Sequence, residues 1–140
     1  MRYLLDTCVI SELVARQPDA GVVQWVDSID EARLFLSAIS IGEIRKGIEK
    51  LADSKRKSTL AEWLEDDLLI RFQDKILPID TQVMLVWGEL TATLEKRDRR
   101  MPAMDSLIAA VALQGRLHLV TRNEDDFAYS GVSVINPWTQ

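Results

Sequence analysis

The sequence predicts an α/β fold with a mostly parallel central sheet of four to five strands, flanked by helices on both faces. Short apolar runs typical of buried strands alternate along the chain with longer segments whose apolar residues recur at helical spacing. No internal repeat, low-complexity segment or linker interrupts this alternation, and 140 residues suit a single domain, 1–140. Strands that alternate with helices favour a parallel sheet covered on both faces.

The predicted strands are short and mostly apolar. They span residues 3–5, 34–37, 75–79, 117–121 and 132–135. Pro78 lies within the third of them, and proline cannot donate a ladder hydrogen bond. This segment is therefore expected at an edge of the sheet or at a strand end.

The predicted helices fill the intervals between these strands. They cover 9–14, about 22–29, 40–51, 60–72, 81–94 and 105–114. Ser40 and Thr81 stand where side-chain caps of the third and fifth helices are expected, and Ser40-x-x-Glu43 has the form of a capping box. Gly115 is expected to end the last helix.

Composition excludes several functional classes. The single cysteine, Cys8, can form no internal disulfide and has no partner at zinc spacing. With His118 as the only histidine and no Gly-x-Ser-x-Gly motif, a serine or cysteine hydrolase triad is hard to assemble. The net charge of −5 argues against a passive nucleic-acid-binding surface. There is no apolar run of about 18 residues, and Asp6 comes too early for a signal peptide, so we expect a cytoplasmic protein.

Four acids that are distant in sequence are predicted to meet at one edge of the sheet. Asp6 ends the first strand, and Glu43 lies in the first turn of the helix after the second. Asp105 begins the helix that leads into the 117–121 strand, and Asp126 follows that strand. Because crossover helices begin at the carboxyl edge of a parallel sheet, all four are expected there. The chain must return about 24 Å along residues 98–104 to bring Asp105 back to that edge.

Each of these acids also has a structural interpretation. Asp6 or Asp105 alone could be a helix cap, and Glu43 a capping-box or solvated residue. Most acids in the segment 122–127 must be solvated loop charges. The predicted convergence is more informative, because clustered carboxylates repel one another and are expected to hold a divalent cation.

The ligand type determines the expected chemistry. Carboxylates without histidine or thiolate favour Mg²⁺ or Mn²⁺ over zinc. Such ions activate water and orient a phosphodiester, either as one ion or as a pair. A carboxylate-based, metal-dependent nuclease is therefore the leading hypothesis.

An ordered set of motifs along nearly the whole chain resembles the PIN-domain ribonucleases, specifically the toxin subunits of VapBC pairs and the similar FitB-type proteins. The motifs are LLDTCVISE at 4–12, LSAISIGEIRKG at 36–47, AMDSLIAA at 103–110, VTRN at 120–123 and INPW at 135–138. The resemblance implies a PIN-domain fold and a Mg²⁺-dependent endoribonuclease. It also implies a homodimer and a small VapB-like antitoxin that inserts a segment into the acidic groove.

The resemblance assigns three invariant acids to Asp6, Glu43 and Asp105. The fourth position is open: some members have an aspartate where this chain has Asn123, whereas others place it before the phenylalanine, here Asp126. We assign catalysis and metal binding to Asp6, Glu43, Asp105 and Asp126. The hydroxyls of Thr7 and Thr121 either support these acids or have strand-end structural roles.

Basic side chains are candidates for binding RNA phosphates, or else ordinary solvated helix ends. They are Lys55, Arg56, Lys57, Lys96, Arg97, Arg99, Arg100 and Arg122.

Other functional classes fit the sequence less well. A haloacid-dehalogenase-type phosphotransferase needs a second aspartate where Cys8 stands, and a receiver domain needs a lysine after a late strand, which the 117–121 strand lacks. A protein that only binds a basic partner, such as an antitoxin, in an acidic groove remains the non-enzymatic alternative.

Overall fold

A computed structural model describes residues 1–138 and contains a five-stranded, all-parallel sheet in the order β3-β2-β1-β4-β5. The strands are β1 Tyr3–Leu5, β2 Leu34–Ser37, β3 Ile76–Leu77, β4 His118–Val120 and β5 Val134–Ile135. The first strand is central, with Tyr3 opposite Leu34 on one side and His118 on the other. The predicted α/β class is confirmed, and β3, which precedes Pro78, lies at an edge as expected.

The helices follow the predicted order with shifted ends. They are α1 Thr7–Leu13, α2 Ala20–Ser28, α3 Ala38–Glu49, α4 Lys55–Glu62, α5 Leu69–Arg71, α6 Thr81–Lys96 and α7 Ala103–Gly115. The segment predicted as one helix over 60–72 contains π-helical turns at Trp63–Leu68 that join α4 to α5. Short 3₁₀ turns occur at Glu31–Arg33 and Glu124–Phe127. No helix within residues 1–138 is long and apolar enough to cross a membrane.

The two faces of the sheet contribute to two separate apolar clusters. Tyr3 and Leu5 belong to the cluster that includes residues of α1 to α5, whereas Leu4 belongs to the cluster with α6 and α7. Alternate residues of a strand point to opposite faces, so a strand buried on both sides reads as a continuous apolar run. The prediction of helices on both faces is confirmed.

Three predicted capping or stop residues are wrong by one to three positions. The side chain of Ser37, not Ser40, caps α3, and its Oγ accepts a hydrogen bond from the Ser40 amide at 3.2 Å. Asp80, not Thr81, caps α6 through the Val83 amide at 2.9 Å. The last helix includes Gly115, and Arg116 adopts the left-handed conformation that ends it.

The expected long return between α6 and α7 is also wrong. Trp87 in α6 donates a hydrogen bond from Nε1 to Ser106 Oγ in the first turns of α7 at 2.9 Å. Leu94, near the end of α6, lines a cavity together with Asp126. The end of α6 therefore lies beside the start of α7, and no extended connection is needed.

Candidate active site

The site is at the carboxyl edge of the sheet, where α1, α3 and α7 begin near the ends of the central strands. The Asp6 amide donates to the carbonyl of Val120 at 3.0 Å, so β1 and β4 end side by side. Ser37 ends the neighbouring strand β2 and starts α3. Side chains from separate parts of the sequence can therefore meet at this edge.

Asp6 is the most enclosed of the predicted acids, with 5% of its surface exposed. Its Oδ1 accepts from the Thr7 amide at 2.8 Å, and its Oδ2 accepts from the Thr121 hydroxyl at 2.8 Å. The side chain thus caps α1 and also faces the site. The structural and functional interpretations of Asp6 are compatible.

The pKa of Asp6 is raised above its ordinary value mainly by burial, which disfavours the charged form. The hydrogen bonds from Thr121 and Thr7 oppose this shift, while the negative charge of Glu43 adds to it. Ionised Asp6 is therefore costly in the absence of a cation.

Asp105 lies in the first turn of α7 and is partly buried. Its pKa is raised to about 6 by loss of solvation, followed by the negative charges of Asp6, Asp126 and Glu43. The four predicted acids are therefore brought together, since each of the other three acts electrostatically on Asp105. No side-chain hydrogen bond caps α7, whose preceding residue is Pro102, so Asp105 is not a helix cap.

Glu43 is anchored by Thr7 rather than by a capping box. The Thr7 hydroxyl donates to Glu43 Oε1 at 2.6 Å and also lies 2.9 Å from Ser40 Oγ. Ser40 is fully buried. This contact fixes the orientation of one carboxylate of the cluster relative to α1.

The two candidates for the fourth position, Asn123 and Asp126, lie in the loop after β4 and have different surroundings. Asp126 is exposed and acts electrostatically on Asp105. Asn123 is neutral, and its amide donates to Thr121 Oγ1 at 3.1 Å. Glu124, by contrast, accepts a hydrogen bond from Asn136 at 3.1 Å. Of the two candidates, Asp126 carries a charge that acts on Asp105.

Two further residues at this edge, Cys8 and Ser40, have contacts that the sequence did not predict. Cys8 Sγ lies 3.5 Å from Thr121 Oγ1 and 3.9 Å from Asp6 Oδ2, and burial raises the pKa of its thiol. Ser40 contacts Thr7 instead of capping α3. The contacts join residues 33 and 113 positions apart, so only tertiary pairing reveals them.

The predicted basic residues divide into two groups. Arg56 donates to the carbonyl of Val14 and Lys57 pairs with Asp53, so these side chains serve local structure. Arg99 and Arg100 line a cavity together with Asp126. Arg122 lines another cavity with Asp126, and its guanidinium lies over the ring of Trp138 with Cζ 4.8 Å from the ring centroid.

The donor chemistry of the cluster fits Mg²⁺ or Mn²⁺, although its side chains form no ready-made cage. Across residues 1–138, no group of three or more histidine, cysteine, aspartate or glutamate side chains is arranged to hold a metal ion. Mg²⁺ commonly keeps several waters and binds through one or two carboxylates together with substrate phosphates. Hard oxygen donors whose mutual repulsion raises the pKa of Asp105 suit such an ion.

Comparisons with known proteins agree with the fold. A family model described as PIN domain matches residues 3–130. The chain is 38% identical over 135 residues to Toxin FitB of Neisseria gonorrhoeae, covering 96% of this chain and 97% of FitB. It is 33% identical over 135 residues to VapC ribonuclease Y4jK of Sinorhizobium fredii, covering 96% of each.

The solved structures include a close match over the whole fold. The crystal structure of FitAcB from Neisseria gonorrhoeae matches with a TM-score of 0.94 at 38% identity, covering 99% of both chains. The family model matches most of the chain, and the two relatives match it over nearly their full length, so all three indicate the same family. The chain belongs to the PIN-domain family, within the group of FitB- and VapC-type proteins.

Proposed function

We propose that this protein is a Mg²⁺-dependent endoribonuclease that hydrolyses RNA phosphodiester bonds and acts as the toxin of a toxin–antitoxin pair. One observation carries the proposal: Thr7 holds the carboxylates of Asp6 and Glu43 at the edge of the sheet where Asp105 opens α7, and these charges act on Asp105. Such a cluster is unfavourable without a cation and suits chemistry on a phosphodiester. The name of the relative Y4jK includes ribonuclease, which supports this activity.

The side chains of the chain have distinct roles in this proposal. Asp6 and Asp105 would hold the ion, with Glu43 and Asp126 completing the cluster or binding its waters. When bound, Mg²⁺ supplies an activated water and stabilises charge on the leaving oxygen. The Thr121 and Thr7 hydroxyls restrict the rotamers of Asp6 and Glu43, so that little reordering is needed on binding.

The partners follow from the same relatives and remain part of the proposal. FitB is named a toxin, which supports a VapB-like antitoxin that binds this chain. A homodimer, a hetero-oligomer with the antitoxin and a cytoplasmic location complete the proposal. Mn²⁺ is the expected substitute metal. A non-catalytic groove that binds only a basic partner is the alternative, and RNA cleavage assays of the wild type and of Asp105→Asn distinguish the two.

The first prediction concerns the metal. Asp6→Asn and Asp105→Asn each lower Mg²⁺ affinity about a hundredfold, because the attraction of about 4 kcal/mol between close charges at an effective dielectric of about 20 is partly offset by desolvation. Calorimetric titration with Mg²⁺ and RNA cleavage measure the effect. Both variants melt no lower than wild type, since neutralisation removes repulsion.

Asp80→Asn is the matched control for these variants. Asp80 also follows a strand and caps a helix, and it is not among the charges that act on Asp105. It should retain wild-type metal binding and cleavage. Wild-type behaviour of both site variants would refute the assignment.

The second prediction concerns pH. Asp105 has a pKa of about 6 in the folded apo protein, against 3.8 ordinarily, so the folded state holds more protons between these values. Relative to Asp105→Asn, the apo wild type therefore loses stability as pH rises from about 4 to 6. Because protons compete with the ion, Mg²⁺ affinity falls as pH drops through about 6. Denaturant titrations and calorimetry at pH 4.5 to 7.5 test both trends, and flat profiles would contradict them.

The third prediction concerns the fourth acid. Asp126→Ala reduces cleavage at least about tenfold more than Asp125→Ala or Glu124→Ala, because only Asp126 of these three acts on Asp105. Steady-state cleavage of one RNA by all three variants gives the comparison. Equal, small effects of the three substitutions would show that the acids of this loop are only solvated surface charges. A dominant effect of Asn123→Ala would assign the fourth position to Asn123.

The fourth prediction concerns the antitoxin. An arginine or lysine that it presents to the cluster pairs with a carboxylate and competes with the ion, so saturating Mg²⁺ weakens antitoxin binding and the antitoxin weakens Mg²⁺ binding. Exposed ion pairs contribute only about 0–1 kcal/mol each, so apolar contacts must add to the affinity. Trp63 and Trp87 are partly buried against the apolar clusters, so only the exposed parts of their rings could add such contacts.

The measurement is antitoxin affinity with and without Mg²⁺, for the wild type and for Asp105→Asn. Affinity that is unchanged by the ion and by the substitution would show that inhibition does not involve the acids.

A further inference from the structure

A cavity of about 370 Å³ adjoins the carboxylate cluster on the side of the α6–α7 connection. Asp126 lines one part of it, and Arg99, Arg100 and Tyr129 line another. Asp126 is also one of the charges that raise the pKa of Asp105. A ligand in this cavity would therefore be next to the reacting centre.

Backbone hydrogen bonds fix the position of Arg99. After the last turn of α6, the Asp98 amide donates to the Glu95 carbonyl at 3.0 Å and the Arg99 amide donates to the Leu94 carbonyl at 2.8 Å. Asp98 adopts φ 58°, the left-handed conformation of a Schellman helix end. Arg99 is thus held at the cavity by its main chain, independently of its side chain.

The Arg99 guanidinium lies over the ring of Tyr129, with Cζ 3.7 Å from the ring centroid. Tyr129 is 59% exposed, so a large part of its ring faces solvent. Within residues 1–138, no ion pair neutralises Arg99 or Arg100, although Asp98 and Asp125 line the same cavity. A cation and an aromatic ring are therefore both accessible beside the acids.

A second arginine–aromatic pair in the chain shows what a structural pair looks like. Arg71 lies over Phe72 at 5.2 Å, its guanidinium is paired with Glu31, and the Phe72 ring is 1% exposed. In that pair the guanidinium is neutralised by Glu31 and the ring is buried. The Arg99 guanidinium has no ion pair within residues 1–138, and the Tyr129 ring is exposed, so both remain accessible to a ligand.

We propose that Arg99, Arg100 and Tyr129 form a binding subsite for single-stranded RNA next to the scissile phosphodiester. This inference rests on the proposed ribonuclease function. The guanidinium groups bind a phosphate of the strand, and the accessible part of the Tyr129 ring stacks against an unpaired base. Arginine donors match phosphate oxygens, and aromatic rings stack on bases that are free of a duplex.

RNA binding without cleavage tests the subsite directly. A labelled single-stranded oligoribonucleotide is titrated in EDTA with the wild type, Arg99→Gln, Tyr129→Ala and Tyr129→Phe. Arg99→Gln and Tyr129→Ala each raise Kd about tenfold, and Tyr129→Phe binds like wild type because it keeps the ring. Arg99→Gln also lowers the salt dependence of log K by about 0.7, the value expected for one phosphate contact on a single strand.

Arg97→Gln is the matched charge control. It removes one positive charge from the same basic run, but Arg97 does not line the cavity. It should leave Kd near the wild-type value. Melting temperatures of all variants show whether any loss of binding reflects loss of fold. In cleavage assays with Mg²⁺, the Arg99 and Tyr129 variants should raise KM with little change in kcat.

A duplex of the same sequence separates stacking from general charge attraction. Tyr129→Ala should leave duplex binding unchanged, since paired bases offer no free face. Wild-type single-strand binding by both Arg99→Gln and Tyr129→Ala, or equal losses with Arg97→Gln, would overturn the subsite even where the wild type cleaves RNA. If the wild type binds the single strand without cleaving it, and Arg99→Gln and Tyr129→Ala lose that binding, the subsite is supported and the proposed activity is refuted.

Discussion

Burial of the Asp6 carboxylate at the end of the central strand is the constraint on which the site depends. The side chain is 5% exposed and receives two hydrogen bonds from the protein, yet its pKa is still raised. An asparagine could cap α1 through its Oδ1 and donate from Nδ2 to the Thr121 oxygen, without the cost of a buried charge. Stability of the apo protein therefore does not explain the aspartate, whereas the proposed cation would offset its charge.

The all-parallel topology accounts for the part of the site that could be predicted from sequence. Asp6 follows β1, and Asp126 follows β4, so knowledge of strand order alone brings them to one edge. The contact between Thr7 and Glu43 could not be derived in this way, because it depends on the rotation of α1 against α3. The predicted caps of α3 and α6 were also wrong. Ser37 and Ser40 have equal capping ability, and only the packing of the helix selects between them.

The connection between α6 and α7 shows where length-based reasoning fails. The prediction of an extended connection depended on the assumption that α6 runs away from the carboxyl edge. The spacing of apolar residues does not determine the direction of a helix relative to a sheet. The turn instead closes through local backbone hydrogen bonds at Asp98 and Arg99, without the glycine that usually marks such a helix end. Tyr129 likewise belongs to no motif in the sequence. Its proposed role in RNA binding depends on the Arg99 guanidinium that lies over its ring.

At this edge of the sheet, negative and positive side chains lie in separate groups, so the net charge of the chain does not describe the local charge. The net charge is −5, but at ordinary salt a charge acts over only about 8–10 Å, so a phosphate responds to its immediate neighbours. A guanidinium paired with Asp105 would occupy the position of a metal ion and neutralise both groups. Arg99 is instead stabilised over an aromatic ring, which attracts a cation without cancelling its charge. The acids thus remain available to a cation, and the arginine to the phosphate that such a cation would act upon.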